Sequence, residues 1–346
     1  MAGLVAAARL RQLGRDVVVV EPGDRPGGSM LLSSCVVWRH RELEAFRAEC
    51  PDGDPELQRL VWDRLDDGLA WLEALGAPVV VHETGNPLTT GTRFEPRGLT
   101  DALVAAAGGL RGSESQGAVR LSTALGDPDG DVVLATGGWG VRFARERGLA
   151  LRAAPWSDGG GIAFARGRGA TLSAGQDEFY GRAMPAPPAR WGEADFVRAA
   201  QLYGRFARVV GDGGSSVFDG EPAWHENDLV QALARCGAAW YVVDDTDLAR
   251  RVRERTVAEL IGVAEELGGE VRRSAGTTSV HVVAAVTHTI GGLRVDTRAR
   301  VLDESGAPIQ GLHAAGADAG GIFAGGYGSG LAAALVLGLT AAEDLR

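Results

Sequence analysis

The sequence predicts an α/β fold in which one parallel-sheet domain is interrupted by a second, smaller domain. Three observations lead there. A helical pattern (Leu4, Val5, Ala8, Leu10, Leu13) stops at Gly14 and gives way to Asp16-Val17-Val18-Val19-Val20-Glu21, the β-branched kind of run carried by parallel strands covered on both faces. Two further short apolar runs, Asp131 to Gly138 and Gly311 to Asp318, lead straight into glycine turns. From about residue 183 the composition shifts, as Pro185, Pro187 and Pro188 open a stretch that holds Trp191, Tyr203, Trp224, Trp240 and Tyr241. The expected organisation is residues 1–182 as the first part of the main domain, 183–286 as an inserted α+β domain, and 287–346 as the returning part.

Each element follows from local chemistry. Glu21 closes the β-branched run where nucleotide-binding α/β folds place the carboxylate that holds a ribose. Pro22 to Ser29 is a turn-rich loop. Helical patterns follow over Arg41–Glu49 and Asp54–Gly76. The second carries Leu57, Leu60, Val61, Leu65, Leu69, Leu72 and Leu75 at helical spacing, with Gly76 as its C-cap. Residues 83–98 read as an irregular loop and Leu99–Leu110 as a helix. Asp158-Gly159-Gly160-Gly161 opens a helix over Ile162–Gly167. The last sixty residues give a strand-like alternation (Leu293, Val295, Thr297, Ala299, Val301), a turn at Asp303-Glu304-Ser305-Gly306, a strand into Gly316, a glycine loop from Gly320 to Gly330, and an apolar helix, Leu331–Leu345. Bare backbone running into a helix N-terminus can press against a flat, partly anionic ring or a phosphate. An ordinary strand-loop-helix connection has the same order.

Composition narrows the classes. At 346 residues the chain can bury a large core. A formal net charge of -10 argues against nucleic acid as the main partner, because phosphate binding favours a basic face. Cys35, Cys50 and Cys236 lack CxxC spacing and the histidines form no HExxH cluster, so no metal is expected. Sparse, odd cysteines suit a reducing compartment. No apolar run reaches membrane-spanning length and the N-terminus lacks a signal-peptide core, so the expectation is a soluble, cytoplasmic protein.

Gly3 heads the first helix, and Glu21 lies eighteen residues later. In a dinucleotide fingerprint G-x-G-x-x-G the third glycine allows close packing of helix and strand. Met1-Ala2-Gly3 reads as the last three positions of that fingerprint, with the first two glycines and the strand before them missing. A helix beginning near a glycine is common, and this half-motif decides nothing alone.

Agreement across segments decides more. Gly27-Gly28-Ser29 after Glu21, Leu134-Ala135-Thr136-Gly137-Gly138, Asp158-Gly159-Gly160, His288-Thr289-Ile290-Gly291-Gly292-Leu293 and Gly311-Leu312-His313-Ala314-Ala315-Gly316 occur in one order. Together they resemble the flavoprotein family of fumarate reductase and succinate dehydrogenase, which also contains 3-oxosteroid 1-dehydrogenases, tricarballylate dehydrogenase and urocanate reductase. The resemblance is thinnest between Gly112 and Asp131 and through the inserted segment. It implies a discontinuous, Rossmann-like FAD-binding domain with an inserted capping domain for substrate. It further implies that Gly3 belongs to the cofactor fingerprint and that Glu21 holds the adenosine ribose. Gly27, Gly28 and Ser29 would lie near the pyrophosphate and flavin, and Ala135, Thr136, Gly137 and Gly138 would pass close to the dinucleotide. Gly316 and Asp318 would complete that side. Ser329, Gly330 and Leu331 would begin the terminal helix under the flavin's pyrimidine edge, where the helix dipole favours the negative charge of reduced flavin. No histidine precedes Gly27-Gly28 at the spacing of covalent attachment, so FAD is expected to be noncovalent.

For catalysis, His288 matches the family histidine that contacts a substrate carboxylate or carbonyl; otherwise it is a satisfied core histidine. The family's fumarate reductases clamp a second carboxylate with an arginine in the glycine loop. This chain has Tyr327 there, and a phenol does not replace a bidentate guanidinium. Tyrosine can instead donate to a carbonyl oxygen, or simply pack. The catalytic arginine should follow a strand like Tyr241–Asp245. The match falls on Leu248, with Arg250 and Arg251 a step beyond, where Arg250, Arg251 and Arg253 also suit a solvated helix face. In Phe218–Glu226, His225 or Glu221 could relay a proton or be exposed loop. The expected activity is hydride transfer between flavin N5 and a CH–CH or C=C bond next to a carbonyl or carboxylate. A small-molecule substrate and an unidentified electron donor or acceptor would be the partners. The alternative is a truncated or degenerate family member without activity that binds a partner protein.

Overall fold

A computed structural model of the chain describes residues 1–110, 119–121 and 130–346, with only the backbone of 119–121; most of the Gly112–Asp131 stretch thus lies outside the described residues. In chain order its first half holds α1 (Ala2–Gln12), β1 (Val19–Glu21), β2 (Val36–His40), α2 (Leu43–Glu49), α3 (Pro55–Ala74), β3 (Val79–Val81), β4 (Thr89–Phe94), α4 (Pro96–Ala106), β5 (Val119–Leu121), β6 (Val132–Leu134), α5 (Gly140–Arg147), β7 (Ala150–Leu151) and α6 (Gly160–Arg166). There follow β8 (Phe179–Pro185), β9 (Ala207–Gly211), α7 (Asn227–Cys236), β10 (Ala238–Asp244), the short β11 (Arg251–Val252) and β12 (Arg255–Thr256), α8 (Val257–Glu266), β13 (Val271–Ser274), β14 (Thr277–Thr289), β15 (Arg300–Leu302), β16 (Pro308–Ala314) and α9 (Gly330–Asp344). Among the described residues no helix is long and apolar enough to cross a membrane.

The chain clusters into two units. The first comprises Met1–Arg142, Ala154–Glu178 and His288–Arg346; the second comprises Phe143–Ala153 and Phe179–Thr287. Phe143–Ala153, which the sequence reading kept with the first domain, clusters with the second unit. Its contacts with the rest of that unit include a two-residue ladder, β7 pairing in parallel with Ala285 and Val286 of β14, and the Phe143 ring 5.5 Å from that of Phe179.

In the first unit α9 is the core element. Its residues Ala332 to Ala342 are all buried, and α1 packs along it, with Ala2 and Val5 at Gly338 and Ala6 and Leu10 clustered with Ala342. Small side chains allow this approach: a β-carbon on Gly338 would stand 2.9 Å from the Ala2 carbonyl oxygen and 3.0 Å from Val5. The α3 helix also packs on α9; it is started by the Asp54 carboxylate, which accepts from the Glu56 and Leu57 amides. Arg9 and Arg64 both reach Glu343, at 3.0 and 2.7 Å, stitching α1 and α3 to the end of α9. About a third of each side chain is exposed, so these pairs add about 1 kcal/mol or less each.

Three sheets surround this helix layer. Strand β1 pairs in parallel with β5, β16 lies between β15 and β6 with β6 parallel to it, and β4 lies between β2 and β3 in antiparallel order. Helix α1 touches both β1 and β6, which belong to different sheets among the described residues. The β-branched run is therefore shorter and wetter than its composition suggests. Only Val19–Glu21 form strand, and Val18 is 65% exposed. The expected loop over 83–98 contains β4, because Thr89–Phe94 finds both β2 and β3 as partners, which sequence-local patterns do not reveal.

The second unit is built on an antiparallel sheet, β13-β14-β10-β9, with β7 and β8 also pairing with β14. One face of it buries Tyr241, Val243, Val280, Val282 and Val209. Alternation along β10 and β14 produces that face.

Candidate cofactor and substrate site

The first unit gathers most of the expected cofactor residues around three turns. At the first, the Glu21 carboxylate accepts from the Gly23 amide at 2.9 Å, and burial raises its pKa above the ordinary value. The Trp156 ring covers Gly23 so closely that any side chain there would strike it. Gly27 and Gly28 both lie in the left-handed region, with φ of 110° and 53°. A β-carbon on Gly28 would meet nothing within 4 Å, so this backbone borders open space, while the next hydroxyl, Ser29, accepts from the Ala154 amide at 3.0 Å.

The second turn, Ala135 to Gly138, leaves β6 and is held from below. Asp318 is fully buried; its two oxygens accept from Thr136 Oγ1 at 2.8 Å and the Gly137 amide at 2.9 Å. Burial raises the Asp318 pKa, and these donors oppose the shift. Asp318 thus acts on the turn. Gly3 and Gly316 close the same corner, because a β-carbon on Gly3 would stand 3.2 Å from that of Ala135, and one on Gly316 3.2 Å from that of Ala2.

The third turn is the start of α9. Ser329 is its N-cap and accepts from the Ala332 amide at 3.2 Å; Leu331, half-buried, follows Gly330 in the first turn. The Gly330 amide donates to the Tyr327 hydroxyl at 3.4 Å. His288, at the end of β14, packs on Gly330: a β-carbon there would stand 2.6 Å from Nε2. Burial lowers the His288 pKa, and the Nδ1 nitrogen lies 3.0 Å from the Thr289 carbonyl oxygen. A carbonyl only accepts, so Nδ1 carries the proton and the neutral ring presents Nε2 as an acceptor. His288 and Tyr327, 39 positions apart in the chain, meet with ring centroids 6.0 Å apart.

Other expected catalytic residues belong to the second unit. Arg250 and Arg251 are exposed. Arg250 pairs with Asp247 at 2.9 Å, and Arg251 donates to the Glu254 carbonyl in the β11–β12 hairpin. The solvated helix face expected for them is thus a hairpin, where Arg253 adopts φ 57°. Glu221 is exposed. His225 is buried; its Nδ1 accepts from the Asn227 amide at 3.0 Å, and its carbonyl accepts from Arg182.

This second-unit cluster contains two residues that sequence reading passed over. Arg182 is 6% exposed and lies over the Tyr180 ring. Glu226 is 3% exposed, in the left-handed region at φ 55°. Burial pushes the Glu226 carboxyl up to about 7, against the Arg182 charge and the amides of Arg205 and Gly204. Tyr203 and Tyr241, fully buried nearby, are raised well above the usual phenol range by burial and by Glu226. The available signal was a Glu beside His225 in a segment already rich in titratable groups; nothing in the sequence joins it to Arg182.

Left-handed glycine backbone bordering open space, a half-buried carboxylate at a strand end and a glycine turn braced by a buried aspartate suit a cofactor with a ribose and a diphosphate. The comparisons agree. The family model for the FAD binding domain matches residues 128–331, and one for an NAD(P)-binding Rossmann-like domain matches residues 1–39. A 41-residue stretch is 58% identical to NADH:acrylate oxidoreductase of Vibrio harveyi; it is 12% of this chain and 4% of that protein's length. Among solved structures, an open flavocytochrome c3 fumarate reductase superposes with a TM-score of 0.70 at 20% identity, covering 99% of this chain and 76% of its own. The 3-ketosteroid-Δ4-(5α)-dehydrogenase of Rhodococcus jostii RHA1 gives 0.70 at 18% identity, covering 99% and 94%. The 3-ketosteroid Δ1-dehydrogenase of Sterolibacterium denitrificans gives 0.69 at 16%, covering 99% and 97%. These structural likenesses establish the α/β fold, and the match over 128–331 establishes that the chain belongs to the FAD binding domain family of oxidoreductase flavoproteins, with FAD as its cofactor.

Proposed function

We propose that the protein is an FAD-dependent oxidoreductase acting on a CH–CH or C=C bond next to a carbonyl or carboxylate. The observation that carries this reading is the start of α9, where the Tyr327 hydroxyl and the Gly330 amide lie beside His288. When bound, FAD supplies two-electron chemistry by accepting or returning a hydride. Glu21, Gly27, Gly28 and the Ala135–Gly138 turn would hold it, with Gly3, Gly316 and Asp318 keeping that turn in place.

The chain's own residues then handle charge and protons. The Tyr327 oxygen accepts from the Gly330 amide, and a phenol also carries an O–H of the kind that donates to a substrate oxygen. Both groups sit at a helix N-terminus, where negative charge developing on that oxygen is favoured. His288 donates its Nδ1–H to the Thr289 carbonyl and is held neutral by burial, so the chemistry open to its Nε2 is to accept a hydrogen bond or a proton. The donor that polarises the substrate is therefore Tyr327, and His288 serves beside it as an acceptor. The glycine loop offers no arginine for a second carboxylate, which favours a substrate with one polar end. Within the second unit, the groups suited to hold or release a proton are the buried Glu226, beside the Arg182 charge, and His225, whereas Arg250 and Arg251 are exposed.

The test is direct. The purified protein is saturated with FAD, and bleaching or reoxidation of the visible band is followed with ring enones, saturated ketones, acrylate and fumarate. A response to a monofunctional carbonyl or carboxylate compound and none to fumarate is expected. Failure to take up FAD, or silence across the panel, would sink the reading.

A further inference from the structure

Five aromatic rings from three segments of the first unit, the glycine loop among them, close into a circuit. Trp38 and His40 of β2 lie 5.4 Å apart, centroid to centroid. His40 stacks on Phe46 of α2 at 5.8 Å and an interplanar angle of 14°. Phe46 meets Phe323 at 5.8 Å, Phe323 meets Tyr327 at 6.0 Å, and Tyr327 returns to the edge of Trp38 at 6.2 Å and 67°. These separations and tilts are those that aromatic pairs prefer. Trp38, Phe46, Phe323 and Tyr327 are each less than a tenth exposed.

Trp38 touches the loop through both its ring and its backbone. Its ring forms a wall for Tyr327, and its backbone amide donates to Ser329 Oγ at 3.4 Å, the same hydroxyl that caps α9. Its own place is fixed by Gly91 across the β2–β4 ladder, where a β-carbon would stand 2.6 Å from the Trp38 α-carbon. The loop between Phe323 and Ser329 is rich in glycine, so few of its own side chains order it; outside the ring circuit, the Asp52 amide donates to the Ala324 carbonyl and the Gly325 amide to the Glu178 carboxylate at 2.8 Å. We propose that Trp38 is a positioning residue for the glycine loop: from one strand position it fixes the Tyr327 ring and the Ser329 cap, and so sets the Tyr327 hydroxyl at the Gly330 amide. The role assigned to Tyr327 rests on the proposed function; the ordering of the loop by Trp38 does not.

Two measurements separate these. Amide exchange across Gly320–Leu331 is compared by mass spectrometry in wild type, Trp38→Ala, Trp38→Leu and Trp38→Phe, with FAD and without. Trp38→Ala and Trp38→Leu should raise exchange in this segment by about tenfold or more, and Trp38→Phe, which restores a ring edge, should return it near wild type. The leucine variant fills volume without a ring, so it keeps the comparison open if the alanine variant does not fold. Unchanged exchange in the leucine variant, or exchange in Trp38→Phe as fast as in it, would overturn the proposal. With cyclohex-2-enone as probe and FAD saturating, Trp38→Leu should lower kcat by about tenfold with a smaller change in KM, and Trp38→Phe should recover it. Faster loop exchange together with a wild type inert toward every carbonyl probe leaves Trp38 as the loop's anchor and removes the function proposed for Tyr327.

Discussion

The imidazole of His288 lies directly on the α-carbon of Gly330. A β-carbon added there would stand 2.6 Å from Nε2 and 3.1 Å from Cε1, closer than real contacts allow. Gly330 is thus glycine because a histidine from β14 occupies the space of its side chain. Gly330→Ala must displace the ring or the first turn of α9. Turnover of the FAD-loaded enzyme should fall by about a hundredfold, the scale of a misplacement near 1 Å, while α9 remains folded. Wild-type rates in that variant would mean that His288 and Gly330 need not be in register.

Tyr327→Phe keeps the ring circuit and removes only the hydroxyl. If that hydroxyl polarises the substrate oxygen, kcat should drop by about a hundredfold, with FAD affinity little changed. The Gly330 amide should also exchange faster, having lost its acceptor. A rate within experimental error of wild type would reassign Tyr327 to packing.

Glu226 makes stability depend on pH. Its carboxyl titrates at about 7 when folded against an ordinary value of 4.5. Between these values the native state holds a proton that the unfolded chain has released. Stability therefore falls as pH rises from about 4.5 to about 7, by on the order of 3 kcal/mol, and then levels. Glu226→Gln keeps an acceptor for the amides of Gly204 and Arg205 and has no charge to bury. Denaturation at a series of pH values should show a flatter profile for the variant and a gain in stability above neutrality. Parallel wild-type and variant curves would refute this.

Asp318→Ala leaves Thr136 Oγ1 and the Gly137 amide without the acceptor they have now. Loss of stability by about 2–4 kcal/mol is expected from unsatisfied buried donors, together with weaker FAD uptake because the turn is released. Asp318→Asn, with one oxygen retained, should fall between. Equal FAD affinity in all three proteins would show that the turn holds without this brace.

Several elements were legible because their causes are local. Helix α3 declares itself through apolar spacing, the Asp54 cap and Gly76. The turns after β6 and β16 declare themselves through glycines that must take left-handed backbone. Strand β4 was not legible, since its hydrogen bonds go to β2 and β3, and Phe143–Ala153 gave no sign that it belongs with the second unit. The site shows the same division. Glu21, Gly27, Gly28, Ala135–Gly138, His288 and Tyr327 are candidates that the family resemblance implies, whereas the contacts of Arg182, Glu226 and Trp38 have no local sign in the sequence.

The sequence by itself determined the α/β class, the interruption of one domain by another and the FAD signature, because glycine turns, strand ends and helix caps are written in consecutive residues. Only the tertiary structure decided protonation and support. His288 is neutral and Glu226 holds its proton into the neutral range because of what buries them. The Tyr327 ring meets Trp38, 289 positions away in the chain, and Asp318 serves a turn 181 positions away. Burial and long-range contact set these properties, and neither is encoded at the position it controls.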